Sequence, residues 1–334
     1  MHSRDVRASC KVCGRPSRYV QSIANDCCEP RLLDLYQCGD CGLAFVGTPV
    51  TDAQLSAAYV SQDSDSYYQE IATTAKRKVD RAVEDLKPLL KDGGDGASVL
   101  DVGCGYGGFL EAIAGEFPLV RALGQELPGK SADECTRKGL EVCTSRLDEI
   151  PERFQVITLL DVAEHVPDPN ATFEACFSLL EDLGYVYLHT PRRCFWDTVF
   201  LLLARVAPLR RLTGVWLRTR VSIFHLQLWT DKALRISVEA GGGELVYLHK
   251  ERELGWPISR YARVYLKEQL GVPMPIVRLV TGIAELLFVR FATLNNKAVC
   301  LARKKPASGA RRIGVQKAAA LSGVKGRDTK ASEQ

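Results

Sequence analysis

The stretch Val99-Leu100-Asp101-Val102-Gly103-Cys104-Gly105-Tyr106-Gly107-Gly108 decides how this chain folds. Ser98 to Val102 is a short apolar run and reads as a buried strand. It carries an acid near its end and breaks into a glycine-rich turn. Apolar residues at helical spacing follow at once: Phe109, Leu110, Ile113 and Phe117. A strand, a glycine turn and a helix in succession open a nucleotide-binding βαβ unit. The glycines let the backbone approach a ligand where any Cβ would collide.

Gly103, Gly105 and Gly108 satisfy G-x-G-x-x-G, which alone is a weak signal for a dinucleotide. Asp101 opposes that ligand, because an acid two residues before the first glycine repels a pyrophosphate. It suits a ligand carrying an ammonium and a sulfonium, and S-adenosylmethionine (SAM) is such a ligand. The next strand, Leu119 to Leu127, carries Glu126, 18 residues past Gly108. A carboxylate at that strand end can accept both ribose hydroxyls. The plainer alternative is a glycine turn that packs a helix on a sheet and holds no ligand.

Two motifs carry a resemblance. Val99 to Gly107 resembles the first motif of the class I SAM-dependent methyltransferases. Phe154-Gln155-Val156-Ile157-Thr158-Leu159-Leu160-Asp161-Val162-Ala163-Glu164-His165-Val166-Pro167-Asp168-Pro169 resembles their fourth-strand motif, in a form close to the ubiquinone-biosynthesis O-methyltransferases and their relatives. The likeness runs over roughly residues 70–250 and returns near 296–303. It implies an α/β fold with a seven-stranded Rossmann-like sheet, SAM as cofactor and methyl transfer as the reaction. The residue pattern itself gives strands at 98–102, 119–127, 140–143, 156–160, 183–189, 244–249 and 298–302, with helical spacing over 71–90 for a helix that would cover the first strand. The cofactor set the resemblance implies is Asp101, Gly103, Cys104, Gly105, Gly107, Glu126, Leu147 and Asp161, with Leu147 against the adenine and Asp161 beside the methionine end.

His165 lies at the carboxyl edge of the sheet, where ligands bind. An imidazole there can take the proton of a hydroxyl acceptor. His225, in Phe224-His225-Leu226-Gln227-Leu228-Trp229-Thr230, is a second candidate base. Both histidines also have a purely structural reading as hydrogen-bonding loop residues. The rivals to a methyltransferase are an NAD-dependent dehydrogenase, which Asp101 opposes, and a non-catalytic scaffold that keeps the fold. A nucleic-acid methyltransferase is disfavoured, because Asp161-Val162-Ala163-Glu164 is not the Pro-Pro-Tyr type of motif found in base amino-methylators.

Upstream, Cys10-x-x-Cys13 and Cys38-x-x-Cys41 are separated by 24 residues, and each pair is followed by glycine. Four thiolates suit tetrahedral Zn²⁺ and leave no open coordination position, so the metal expected here is structural. The segment is similar to the zinc ribbon that precedes certain bacterial methyltransferases, sugar C-methyltransferases among them. The division expected is a ribbon over 1–50, a tyrosine-bearing connector over 51–70 and the SAM domain over 71–303. That domain carries apolar insertions at 192–222 and 251–295, and a disordered basic tail follows over 304–334.

The chain has 334 residues, a net charge of +4 and 12 cysteines. That charge is too small to argue for nucleic acid. No apolar segment follows Met1, and the cysteines read as reduced thiols rather than disulfides, so a cytoplasmic protein is expected. The insertion at 192–222 is very apolar yet broken by Arg205, Arg210, Arg211 and Arg218. Its readings are a lid over the acceptor, a peripheral contact with an anionic membrane surface, or an ordinary buried cap. A second amphipathic helix, expected over 275–293, adds the possibility of a homodimer face. The acceptor expected is a small molecule, sugar-derived or lipid-linked.

Overall fold

The computed structural model describes residues 8–26, 28–51, 53–55, 57–58, 65–92, 96–251, 271–279, 282 and 295–306. Its elements in chain order are β1 (Ala8–Ser9), β2 (Pro16–Ala24), β3 (Leu32–Cys38), β4 (Ala44–Val46), α1 (Asp65–Asp92), β5 (Ser98–Val102), α2 (Gly108–Glu116), β6 (Arg121–Gln125), α3 (Lys130–Arg137) and β7 (Val142–Cys143). There follow β8 (Phe154–Leu160), α4 (Pro169–Ser178), β9 (Leu180–Pro191), α5 (Phe195–Leu203), α6 (Arg210–Arg220), β10 (Gln227–Leu228), α7 (Asp231–Ala240), β11 (Gly243–Glu251) and β12 (Lys297–Lys304).

The larger sheet has seven strands in the order β11-β12-β9-β8-β5-β6-β7. β5 sits inside it, parallel to β6 on one side and β8 on the other. β12 runs antiparallel to both of its neighbours. Strands buried on both faces need continuous apolar sequence, and Phe154–Leu160 supplies it with six of its seven residues buried. The parallel run brings the carboxyl ends of β5, β6, β8 and β9 to one edge, where a doubly wound sheet binds its ligands.

All seven expected strands form, with moved ends. The second is confined to Arg121–Gln125 because Leu119 and Leu127 face solvent, 69% and 57% exposed. The third keeps only Val142–Cys143, since Leu140 turns instead toward Cys104 and Cys135. The fifth is longer than expected, Leu180–Pro191. Most of the helix expected over 275–293, and residues 307–334 of the expected tail, lie outside the described residues.

The smaller sheet is antiparallel throughout, in the order β1-β2-β3-β4-β10. β10 comes from residues 227–228, so this sheet borrows its last strand from the far side of the chain. Cys10, Leu43 and Phe45 lie in the same apolar core as Leu100, Leu159 and Trp229. The N-terminal sheet is therefore packed into the body of the molecule. Its other face, with Val20, Leu33, Leu35 and Val46, meets Leu201, Trp216, Leu217 and Ile223. The inner side of the insertion at 192–222 is thus a packing partner of the N-terminal sheet, while Phe195, Leu202, Val206 and Leu212 remain exposed. Buried Asp197 ties α5 to α6 by accepting from Trp216 Nε1 at 2.9 Å and Arg220 Nε at 3.0 Å.

Candidate functional site

The turn after β5 uses its glycines for different reasons. Gly103, Gly105 and Gly107 all have φ between +55° and +78°, in the left-handed region where a side chain is strained. A Cβ on Gly103 would come within 2.7 Å of Val162, and one on Gly107 within 2.3 Å of Leu140. Those two glycines permit close packing. A Cβ on Gly105 would meet nothing within 4 Å, so that position borders open space. Cys104 is buried with Leu110 and Cys135.

Glu126 begins the loop after β6 and reaches back over this turn. Its Oε2 accepts from the Gly105 N–H at 2.7 Å and its Oε1 from the Leu127 N–H at 2.8 Å. Burial raises the pKa of this carboxyl, against the pull of those two donors. Asp101 is 2% exposed and accepts from Thr158 Oγ1 at 2.6 Å. Burial lifts its pKa to about 7 despite that bond and the Lys78 charge. Leu147 is half-buried in a short turn of helix, and Gln125 Nε2 donates to the Ser145 carbonyl at 3.1 Å nearby.

Asp161 ends β8 with φ +60°, a conformation uncommon for a residue other than glycine. Its carboxylate is a hub. Oδ1 lies 2.8 Å from His189 Nδ1 and 2.9 Å from Lys297 Nζ, and Oδ2 accepts from Lys78 Nζ at 2.9 Å. Burial works against its charge, but Lys297, Lys78 and His189 outweigh it and hold the pKa well below the usual carboxylate range. Strands β9 and β12 and helix α1 are joined through this one side chain.

Three residues further on, Glu164 is buried, 1% exposed. Its Oε2 accepts from Thr190 Oγ1 at 2.9 Å, while Oε1 has no hydrogen-bond partner. Burial and the nearby Asp161 charge raise its pKa to about 8. His165 Nε2 lies 3.7 Å from that oxygen. The His165 and His225 rings meet edge to face, with centroids 4.9 Å apart. One carboxylate oxygen and two imidazole nitrogens thus fall within 4.8 Å of one another, a group able to hold a cation or relay a proton. Burial lowers the His165 pKa to about 4, and burial together with His165 lowers that of His225 well below the usual value. β10 holds this loop: Gln227 donates from its backbone N–H to the Glu164 carbonyl and from Nε2 to the Val166 carbonyl at 2.8 Å.

At the N-terminus, the sulfurs of Cys10, Cys13, Cys38 and Cys41 all lie within 4.8 Å of one another. Cys10–Cys41 and Cys13–Cys38 are each separated by 3.5 Å. Sulfurs about 2.3 Å from a tetrahedral zinc stand about 3.8 Å apart, so the donor set fits that metal. The knuckle is clamped to the larger sheet's side of the molecule. Thr230 Oγ1 donates to the Cys41 carbonyl at 2.5 Å, Arg193 Nη1 to the Gly42 carbonyl at 2.8 Å, and Asn170 Nδ2 to the Val12 carbonyl at 2.9 Å.

Comparison with known proteins gives this geometry a family. A family profile described as a methyltransferase domain matches residues 71–248. This chain belongs to that methyltransferase family. Ubiquinone biosynthesis O-methyltransferase of Pseudomonas fluorescens is 37% identical over 109 residues, covering 29% of this chain and 46% of the relative. The same enzyme of Leptothrix cholodnii is 36% identical over 110 residues, covering 30% and 46%. The chain therefore matches about half the length of these curated relatives. Among solved structures, magnesium protoporphyrin IX methyltransferase from Synechocystis aligns with a TM-score of 0.45 at 15% identity, over 77% of this chain and 89% of that one. A cyclopropane synthase from Mycobacterium tuberculosis aligns with a TM-score of 0.43 at 17% identity, over 67% and 84%.

In this methyltransferase the sequence-derived residues fall into two groups. Gly103, Gly105, Gly107, Asp101 and Glu126 surround one turn, with Leu147 on a neighbouring loop. Asp161, His165 and His225 gather at the ends of β8 and β10. Sequence reasoning missed Lys78, His189 and Lys297 around Asp161, and Thr190 beneath Glu164. An acid at a strand end followed by Glu-His was the one available signal that such a hub needs cations nearby.

Proposed function

We propose that this methyltransferase moves a methyl group from SAM to a small-molecule acceptor, with a zinc ion in the Cys10, Cys13, Cys38, Cys41 knuckle as a structural element. The observation that carries the cofactor reading is Glu126, held by the Gly105 N–H beside a turn whose open side accepts no protein atom. In this reading Gly103, Gly105 and Gly107 let the backbone line the site, Glu126 accepts the ribose hydroxyls and Leu147 packs on the adenine. The buried Asp101 carboxyl, and Asp161 paired with Lys78, Lys297 and His189, lie at the methionine end in this reading.

When bound, SAM supplies an electrophilic methyl group on a sulfonium. The chain's part is to bring the acceptor within attack distance, which can supply much of the rate. A hydroxyl acceptor must also lose its proton. His165 and His225 are half-buried and neutral at pH 7, so either offers an imidazole nitrogen to accept it. Among the described residues no helix is long and apolar enough to cross a membrane. A reducing compartment such as the cytoplasm would keep the four knuckle thiols available for metal.

The test is incubation of the zinc-bound protein with methyl-labelled SAM and a fractionated small-molecule extract. Formation of S-adenosylhomocysteine together with a labelled small product supports methyl transfer. Tight S-adenosylhomocysteine binding with no labelled product in any fraction supports a non-catalytic scaffold instead.

A further inference from the structure

A cavity of about 880 Å³ lies where the knuckle meets the end of β9, in the size range of small-molecule sites. Six cationic side chains line it: Arg18, Arg192, Arg193, Arg205, Lys232 and Lys250. The lining acids among the described residues are Asp40 and Asp231, and the knuckle at the cavity wall, a divalent zinc on four thiolates, would add two negative charges, which still leaves a surplus of two positive charges. Both acids are already engaged. Asp231 accepts from Arg192 at 2.8 Å and from Lys250 at 3.0 Å, and Asp40 pairs with Lys232 at 3.1 Å. Arg18, Arg193 and Arg205 form no ion pair with a carboxylate of the described residues.

Arginines without carboxylate partners, converging on one concave site, match an anion with several oxygens, because the guanidinium fork pairs with phosphate oxygens two at a time. One wall of the cavity continues from the strand that holds the Asp161 and Glu164 cluster. His189 and Thr190 on β9 hold Asp161 and Glu164, and Arg192 is two residues beyond Thr190, about 7 Å along an extended strand.

We propose that this cavity anchors a phosphate or diphosphate group carried by the methyl acceptor, with the acceptor's reacting end directed toward Glu164, His165 and His225. The inference rests on the methyl-transfer reading and deepens it by naming the substrate class. The anchor is remote from the methyl group, and binding energy gained there serves to position the reacting atom.

The test uses the full-length zinc-bound protein and inorganic pyrophosphate as the probe, by calorimetric titration at fixed ionic strength, with sulfate as the control anion. The variant is Arg18→Gln combined with Arg205→Gln, both exposed residues outside the methyl-donor site. Pyrophosphate is expected to bind one to one and more tightly than sulfate. The double variant should weaken it by about tenfold or more, the equivalent of about 1.4 kcal/mol, while leaving S-adenosylhomocysteine affinity unchanged. Pyrophosphate binding no tighter than sulfate, or equally tight in the double variant, overturns the anchor. If S-adenosylhomocysteine still binds in that case, the methyl-transfer reading survives separately. Co-sedimentation with vesicles containing phosphatidic acid identifies the source of the group: pelleting that the double variant loses assigns a lipid-borne phosphate, and pyrophosphate binding without pelleting assigns a soluble one.

Discussion

Glu126 Oε2 and the Gly105 N–H meet at 2.7 Å across 21 residues of chain. The contact joins the carboxyl end of β6 to the turn after β5, so the carboxylate is oriented before any ligand arrives. Replacing it with Gln keeps an acceptor for the Gly105 N–H but removes the charge. Hydrogen bonds to a charged group contribute about 1.5–3 kcal/mol. Glu126→Gln, which also leaves the Leu127 N–H without its acceptor, is therefore expected to weaken S-adenosylhomocysteine binding by at least about tenfold with a modest fall in melting temperature, as measured by calorimetry and thermal unfolding.

Gly105 and Gly107 share a left-handed conformation but not surroundings. Ala at either position is strained by about 1–2 kcal/mol. At Gly107 the added Cβ also drives into Leu140 at 2.3 Å and Cys135 at 3.0 Å. Gly105→Ala should thus fold with a modest loss of stability and lose ligand affinity. Gly107→Ala should lose more stability, by about a further 1 kcal/mol, the low end of overpacking costs, because the tip of the half-buried Leu140 side chain can turn aside. Urea unfolding beside a binding titration separates the two.

Buried Asp101 and Glu164 make stability fall as pH rises. Each has a folded-state pKa above the ordinary carboxylate value, at about 7 and about 8. From about pH 4 upward the unfolded chain has released these protons while the folded chain keeps them, so folding is progressively disfavoured until the folded-state pKa is passed. The slope reaches about 1.4 kcal/mol per pH unit for each group. Asp101→Asn should flatten the decline up to about pH 7, and Glu164→Gln should flatten it up to about pH 8. Urea unfolding of the ligand-free protein between pH 5 and pH 9 measures this. A decline unchanged in both variants would contradict the burial of their charges.

The cysteine knuckle carries contacts on which the larger sheet's side of the molecule depends. Thr230, which caps α7 by accepting from the Ala233 N–H, also donates to the Cys41 carbonyl. The expected metal content is one zinc per chain. Cys38→Ser should abolish it and lower the melting temperature by at least about 5 °C, given about 2–4 °C per kcal/mol in a domain of about 200 residues. Metal analysis and thermal unfolding of the variant check this.

The parts of the fold legible in sequence were those set by neighbouring residues. The apolar run before Gly103, the glycines and the apolar spacing after them specify strand, turn and helix locally. Glu126 follows because the next parallel strand must end at the same edge. The paired Cys-x-x-Cys motifs reveal themselves by spacing. The Asp161 hub did not, because its lysines lie 83 residues before it and 136 after it. No local pattern marks Lys78 on a helix or Lys297 at a strand start as partners of one carboxylate. β10 was hidden for a similar reason: two residues, Gln227 and Leu228, carry too little pattern to show that they complete a sheet begun at residue 8.

The most direct test of the central claim is a thermal-shift titration of the zinc-bound protein with S-adenosylhomocysteine and, in parallel, with NAD. A ligand that binds only the folded state raises stability by RT ln(1 + [L]/Kd). The methyltransferase assignment predicts a concentration-dependent rise with S-adenosylhomocysteine, none with NAD, and loss of the rise in Glu126→Ala. A rise with NAD alone, or one with S-adenosylhomocysteine that Glu126→Ala leaves intact, would contradict the site built around Gly105 and Glu126.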